Sequence, residues 1–400
     1  METSLFAFAI DLVDGGVGAV LDDISDRAGV GGVSLATAYH HARDVLPHNP
    51  VRKVYYHEGG TIFFVPELKR YGRIVPQQSS LARDRDILGE LCAATAARSM
   101  SVTAWTVYLH NTRLSRAHPE YAPRNAFGDR YLTDLCPADP AVHEYAMALT
   151  SDICRYPVSS ILAESLHFKT IDHGYHHERS FVDMGPTARF LLGLCFCEAC
   201  TENAYRDGID AEGVRRGVSD YLLDVFARGG GGHAPLGFDT LGDVVAEEIG
   251  GYLGARSNAV SRLVEEVANV AQTAGVRFTF SAHGGSAKGA TSHSSDSPGD
   301  AWVLGVDLPR VAAAADDFEI LGYVASAVDL ERLASGYLDE IRPEAFAVGL
   351  RPMWPDTTSP EDLAQKVRIA RSLGAQRVDF YHYGLMPSSS LDWIGAALSP

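Results

Sequence analysis

The sequence predicts an α/β protein built as a (β/α)8 TIM barrel with a long insertion after strand four. Three observations carry the fold: eight short β-branched or aromatic runs, helical periodicity after most of them, and no Gly-x-Gly-x-x-Gly after the first run, where an open doubly wound sheet would use one. The length of 400 residues suits a barrel that folds as one unit. With 46% hydrophobic and 21% charged residues, the chain has the composition of a protein with a large core.

The runs lie in order at 5–11, 33–39, 102–109, 159–166, 276–282, 318–324, 345–351 and 376–383. The first is apolar up to Asp11, and the glycines of Asp14-Gly-Gly-Val-Gly18 follow an acidic strand end that suits a phosphate poorly. After the second run, residues 54–65 read as a hairpin turning at Gly59-Gly60. The third and fourth are apolar until His110-Asn111 and Glu164. An insertion, 168–275, then precedes the fifth run, with helices expected near 202–227 and 243–273. Residues 283–298, polar and glycine-rich, read equally as a lid over an active site or as a mobile surface loop. The whole, 1–400, is expected to be one barrel domain with the insertion inside it.

A formal net charge of −17 opposes attraction to nucleic acid and to anionic lipid. No apolar stretch approaches the roughly 18 residues of a membrane span, and the N-terminus lacks a basic and hydrophobic leader, so a cytoplasmic protein is expected. A homo-oligomer is compatible with all of this. Six cysteines are too few for a disulfide scaffold, yet three crowd into Cys195-Phe-Cys-Glu-Ala-Cys200. Such a turn suits zinc, which takes convergent thiolates tetrahedrally. Spacing alone leaves the fourth ligand open among Cys92, Cys136, Cys154 and a histidine.

Taken together, Cys136-Pro-Ala-Asp-Pro140, Glu164 at the end of strand four, and the Cys195–Cys200 turn resemble the β-galactosidases of glycoside hydrolase family 42 and related barrel glycosidases. The resemblance covers roughly residues 130–200 and the barrel pattern. It implies that Cys136, Cys195, Cys197 and Cys200 hold one structural zinc, and that Glu164 is the acid/base. The sequence departs from the family in having Ala163 where an Asn precedes that glutamate, in lacking the nucleophilic Glu after strand seven, and in ending near strand eight.

Barrel enzymes do their chemistry at the C-terminal ends of the strands. Those ends and their loops offer Asp11, Tyr39, His40, His41, Arg43, His110, Asn111, Glu164, His167, His176, His177, Glu178, His283, Tyr323, Arg351, Trp354, Asp356, Tyr381 and His382. Carboxylates, imidazoles, phenols and an indole together suit a carbohydrate, whose hydroxyls need polar partners and whose ring face stacks on an aromatic. The substrate-binding set expected is Asp11, His41, Arg43, His110, Asn111, His167, His177, Arg351, Trp354, Tyr381 and His382.

Glycoside cleavage needs an acid and a second carboxylate. Glu164, on an apolar strand, is the expected acid, because desolvation raises a carboxyl's pKa. Asp356 is the favoured second carboxylate, Glu178 the next, with Asp11 and Glu58 behind them. Two other classes fit less of the pattern: a metal-dependent sugar isomerase or hydrolase using the histidines, and a catalytically degenerate barrel that binds a glycan.

Overall fold

The computed structural model describes residues 1–172, 179–232, 235–238, 241, 243–282 and 298–399. Eight parallel strands close on themselves: β1 (Glu2–Ala7), β2 (Gly32–Tyr39), β3 (Ser101–Val107), β4 (Ser160–Glu164), β5 (Arg277–Ala282), β6 (Asp317–Leu321), β7 (Phe346–Leu350) and β8 (Arg377–Phe380). Closure is visible in the register, since Leu5 of β1 lies beside Val33 of β2 on one edge and Phe380 of β8 on the other. The (β/α)8 barrel expected from the sequence is therefore present, each strand within a few residues of its predicted run.

Alternation along the strands sorts the side chains. Phe318 and Ile320 of β6 and Val378 and Phe380 of β8 are buried in the apolar core. The alternate residues meet inside the barrel, and many are polar. Arg377 holds Asp379 at 2.8 Å and reaches Ser160 and Ser34, while Ser4 and Ser34, and Thr103 and Ser160, are bonded in pairs. Glu319 shares this interior, and burial, together with the Asp379 carboxylate, pushes its carboxyl well above the usual range.

Two local expectations need correction. Residues 54–65 do not form a hairpin with each other: Val54–Tyr56 pairs antiparallel with Arg43–Val45, and Thr61–Ile62 pairs with the end of β2. The two glycines serve close packing instead. A Cβ on Gly59 would sit 1.7 Å from the His41 ring, and Gly60, at φ +71°, lies against Asn111. The helix expected over 202–227 is two, Glu198–Arg206 and Ala211–Arg228, because the chain turns at Gly208 with φ +81°.

The long helix Asp243–Thr273 joins two apolar clusters. Its earlier residues Ile249, Tyr252 and Ala255 pack with Phe196, Leu191, Val218 and Leu222 of the insertion. Its later residues Ala259, Val260, Leu263 and Val267 pack on the barrel. The described part of the insertion is thus anchored to the barrel through this helix. Among the described residues, no helix is long and apolar enough to cross a membrane.

Candidate active site and cysteine cluster

Glu164 ends β4 with its side chain half-buried, and the next residue, Ser165, takes φ +61°. That left-handed turn is unusual for a residue with a Cβ and redirects the chain at once. The end of β4 is fixed to β3 by Tyr108 N–H to the Glu164 carbonyl at 3.0 Å and Leu109 N–H to that of Ser165 at 3.2 Å. The Trp105 indole N–H donates to Glu164 Oε2 at 2.6 Å. Burial raises the Glu164 carboxyl above its ordinary range, against the opposing pull of Lys169, the Trp105 hydrogen bond and His110.

Aromatic rings bound this carboxyl. Trp105 lies 5.0 Å from Tyr39 and 5.9 Å from Tyr381, and Tyr381 lies 5.7 Å from Tyr323. The Arg351 guanidinium is 4.5 Å over the Tyr323 ring and pairs with Asp356. On the other side, His110 Nδ1 meets Asp134 Oδ1 at 2.9 Å, and the His40 ring lies 4.8 Å from that of His110. Lys169 is held by burial below the usual lysine range, with Asp134 and Glu164 as its opposing anions. A desolvated carboxyl, a lysine amine and several ring faces therefore converge on one mouth.

The structure brings Glu164, His110, Arg351 and Tyr381 together, and disperses other expected residues. Asp11 is not at a strand end: it sits in the first turn of helix Ala9–Gly15, buried, accepting from Phe8 N–H at 2.8 Å. His382 is also buried, 3.8 Å from the Phe8 ring, its Nδ1 accepting from Gly384 N–H. His167 is buried with Nδ1 on the Phe168 carbonyl oxygen. Asn111 caps helix Thr112–Ala117 by accepting from Leu114 N–H. His41 and Arg43 are exposed, as is Trp354, at 73%. Glu58 accepts from Ser80 N–H at 2.9 Å. Glu178, His176, His177 and His283 lie outside the described residues, as does nearly all of the expected lid.

Trp105, Lys169 and Asp134 join the site although the sequence does not mark them for it. Trp105 had a readable signal: β3 and β4 run in parallel with Val107 beside Glu164, so Trp105, two residues earlier, shares its face. Asp134 reaches His110 from a separate loop, and no periodicity marks it.

Asp11 supports a test of the fold around the mouth. Burial, ahead of Asp44 and Asp14, raises its carboxyl to about 7. A raised acid contributes stability that is full below its unfolded pKa near 4 and is lost as pH rises through about 7. At about 1.4 kcal/mol per unit, the loss is on the order of 4 kcal/mol. Asp11→Asn keeps an acceptor for Phe8 N–H. In urea unfolding its stability is expected to fall less steeply with pH than the parent's over this range, and to exceed the parent's above pH 7. An equal pH slope in both proteins contradicts the burial of an acidic Asp11.

Four of the six cysteines gather beside the mouth. Cys136 precedes helix Pro140–Ile153, which Asp139 caps and Pro140 begins, and Cys197 immediately precedes helix Glu198–Arg206, whose first turn carries Cys200. The Sγ atom of Cys136 lies 3.5 Å from that of Cys197, 3.6 Å from that of Cys200 and 3.9 Å from that of Cys195. A disulfide needs about 2.05 Å. Sulfurs about 2.3 Å from one tetrahedral zinc stand about 3.8 Å apart, which is the spacing found. All four are buried, and Cys195 Sγ also accepts from Arg124 N–H at 3.3 Å. The cluster can hold a metal ion.

Neither a family model nor a curated protein matches the sequence. Solved structures do match in fold. A β-galactosidase from the psychrophilic Marinomonas ef1 superposes with a TM-score of 0.58 at 11% identity, over 99% of this chain and 59% of that one. The catalytic domain of a β-amylase from Paenibacillus polymyxa gives 0.54 at 10%, over 100% and 99%. α-L-Fucosidase isoenzyme 2 from Paenibacillus thiaminolyticus gives 0.51 at 12%, over 95% and 45%. This chain therefore spans about half the length of the fucosidase and under two thirds of the galactosidase. At such identities the likeness is one of fold.

Proposed function

We propose that this barrel is a glycoside hydrolase acting on a small glycoside or oligosaccharide, with Glu164 as general acid and a structural zinc on the four cysteines. The observation that carries the reading is Glu164 itself, a desolvated carboxyl at the end of β4, facing a mouth of tyrosines and a tryptophan. Such a carboxyl keeps its proton toward neutrality and can deliver it to a leaving oxygen. The rings supply faces for a pyranose, and His110 and Lys169 supply polar partners. The names of the neighbouring folds, a galactosidase, an amylase and a fucosidase, agree with this chemistry.

Asp356 is the second carboxylate of the proposal. Arg351 pairs with it and stacks on the Tyr323 ring, which ties Asp356 to the mouth that Glu164 faces. Glu178 stands second. The whole chain, 1–400, works in this reading as one barrel domain whose insertion, 168–275, forms a wall of the pocket. A reducing, cytoplasmic setting suits free thiolates.

The histidine-metal reading is weaker. Among the described residues, the metal-type side chains close enough to share one ion are the four cysteines. The test is turnover of a panel of aryl glycosides and short oligosaccharides by the zinc-loaded chain. Release of aglycone from at least one sugar is expected; binding without release across the panel favours a glycan-binding barrel instead.

A further inference from the structure

Arg256 lies on helix Asp243–Thr273 between the residues that pack on the insertion and those that pack on the barrel. It is 5% exposed. Its Nη1 donates to the Trp302 carbonyl oxygen at 3.3 Å, its guanidinium carbon lies 4.3 Å from the centre of the Phe168 ring, and among the described residues its Nε has no hydrogen-bond partner. Among the described residues, no carboxylate forms an ion pair with it, and the anionic groups that act on it are Cys200, Cys195, Cys136 and Tyr252. A guanidinium taken from water without an anion is costly. Arg256 does share one small cavity with Cys195, Cys200, Tyr252 and Asn203.

We propose that Arg256 is the counter-ion of a metal–thiolate centre on Cys136, Cys195, Cys197 and Cys200, setting its affinity and tying it to the Phe168–Lys169 wall of the pocket. The inference rests on the metal reading of these cysteines. A divalent ion with four thiolates is a net dianion, so a buried centre needs positive charge nearby. The peptide N–H groups of Arg124 and Cys197, at 3.3 and 3.5 Å from Cys195 Sγ, give part of it. The start of helix Glu198–Arg206 adds a partial charge. Arg256 gives a full one. Because the same guanidinium stacks on Phe168, the charge that answers the thiolates also positions the segment leading to Lys169.

Zinc affinity of the full chain, measured by competition with a chromophoric chelator, tests this in parent, Arg256→Gln and Arg256→Lys. Loss of the charge is expected to weaken zinc by about 10- to 100-fold, the scale of outer-shell effects, and lysine to recover most of that loss. In a Cys200→His background, whose centre carries one negative charge less, Arg256→Gln is expected to cost less. Parent-like affinity in Arg256→Gln overturns the proposal, as does an equal loss in Gln and Lys, which marks packing over Phe168 as the cause. An equal cost in both backgrounds does the same. If Arg256→Gln does not fold, Arg256→Lys decides: near-parent affinity supports the counter-ion and a loss of tenfold or more rejects it. A parent chain that takes up no zinc removes the metal reading itself, whereas zinc uptake indifferent to residue 256 removes only the role of Arg256.

Discussion

Cys136→Ala is expected to abolish stoichiometric metal binding and to destabilise the insertion by about 5 kcal/mol or more. Structural zinc contributes about 10 to 16 kcal/mol to zinc-finger peptides, and a site anchored on a formed barrel, which already orders part of the chain, draws on only a fraction of that. The substitution leaves Cys195, Cys197 and Cys200 buried beside Arg256 with three ligands. The insertion has its own apolar cluster, built on Phe196, Tyr252 and Val218, and Phe196 lies within the cysteine turn. Its loss of order should appear as a separate early transition in thermal unfolding, with zinc falling from about one per chain to none by elemental analysis. Cys92→Ala serves as the control, since Cys92 is buried in helix Ile87–Ala96 away from the cluster and should leave zinc content unchanged. Full zinc retention in Cys136→Ala removes Cys136 from the ligand set.

Glu164→Gln is the second large effect. The amide preserves volume and can accept from the Trp105 N–H, so the mouth keeps its shape, but it has no carboxyl proton to deliver. General acid catalysis contributes about 10²- to 10⁴-fold, and a loss of that size is expected in kcat on an unactivated oligosaccharide, with KM little changed. Parent-like turnover assigns the proton to another group, and His110, paired with Asp134, is then the first to replace.

How much of this was legible varies with the kind of residue. The barrel was, because β-branched runs and the periods of strand and helix are local properties that survive packing, as β6 and β8 illustrate. Glu164 was legible as a carboxyl on an apolar strand. The three clustered cysteines were legible from spacing, and Cys136 only through the resemblance. Asp134 was not, because its bond to His110 crosses from one loop to another. The interior acids escape a sequence reading for a related reason: Glu319 and Asp379 sit inside the barrel with Arg377, away from the strand ends where barrel chemistry is expected. Asp11 shows the reverse error. Helix Ala9–Gly15 begins two residues after β1, and the carboxyl that seemed to end a strand instead caps the helix. Such caps are set by where a strand stops, which single-strand propensity does not fix.

The most direct measurement compares parent and Glu164→Gln on two aryl glycosides of one sugar, one with a strongly acidic phenol as leaving group and one with a weakly acidic phenol. A leaving group that departs without protonation does not need the acid. The variant should therefore lose little in bond cleavage on the acidic phenol and about 10²-fold or more on the weak one. An equal loss on both substrates contradicts Glu164 as the proton donor.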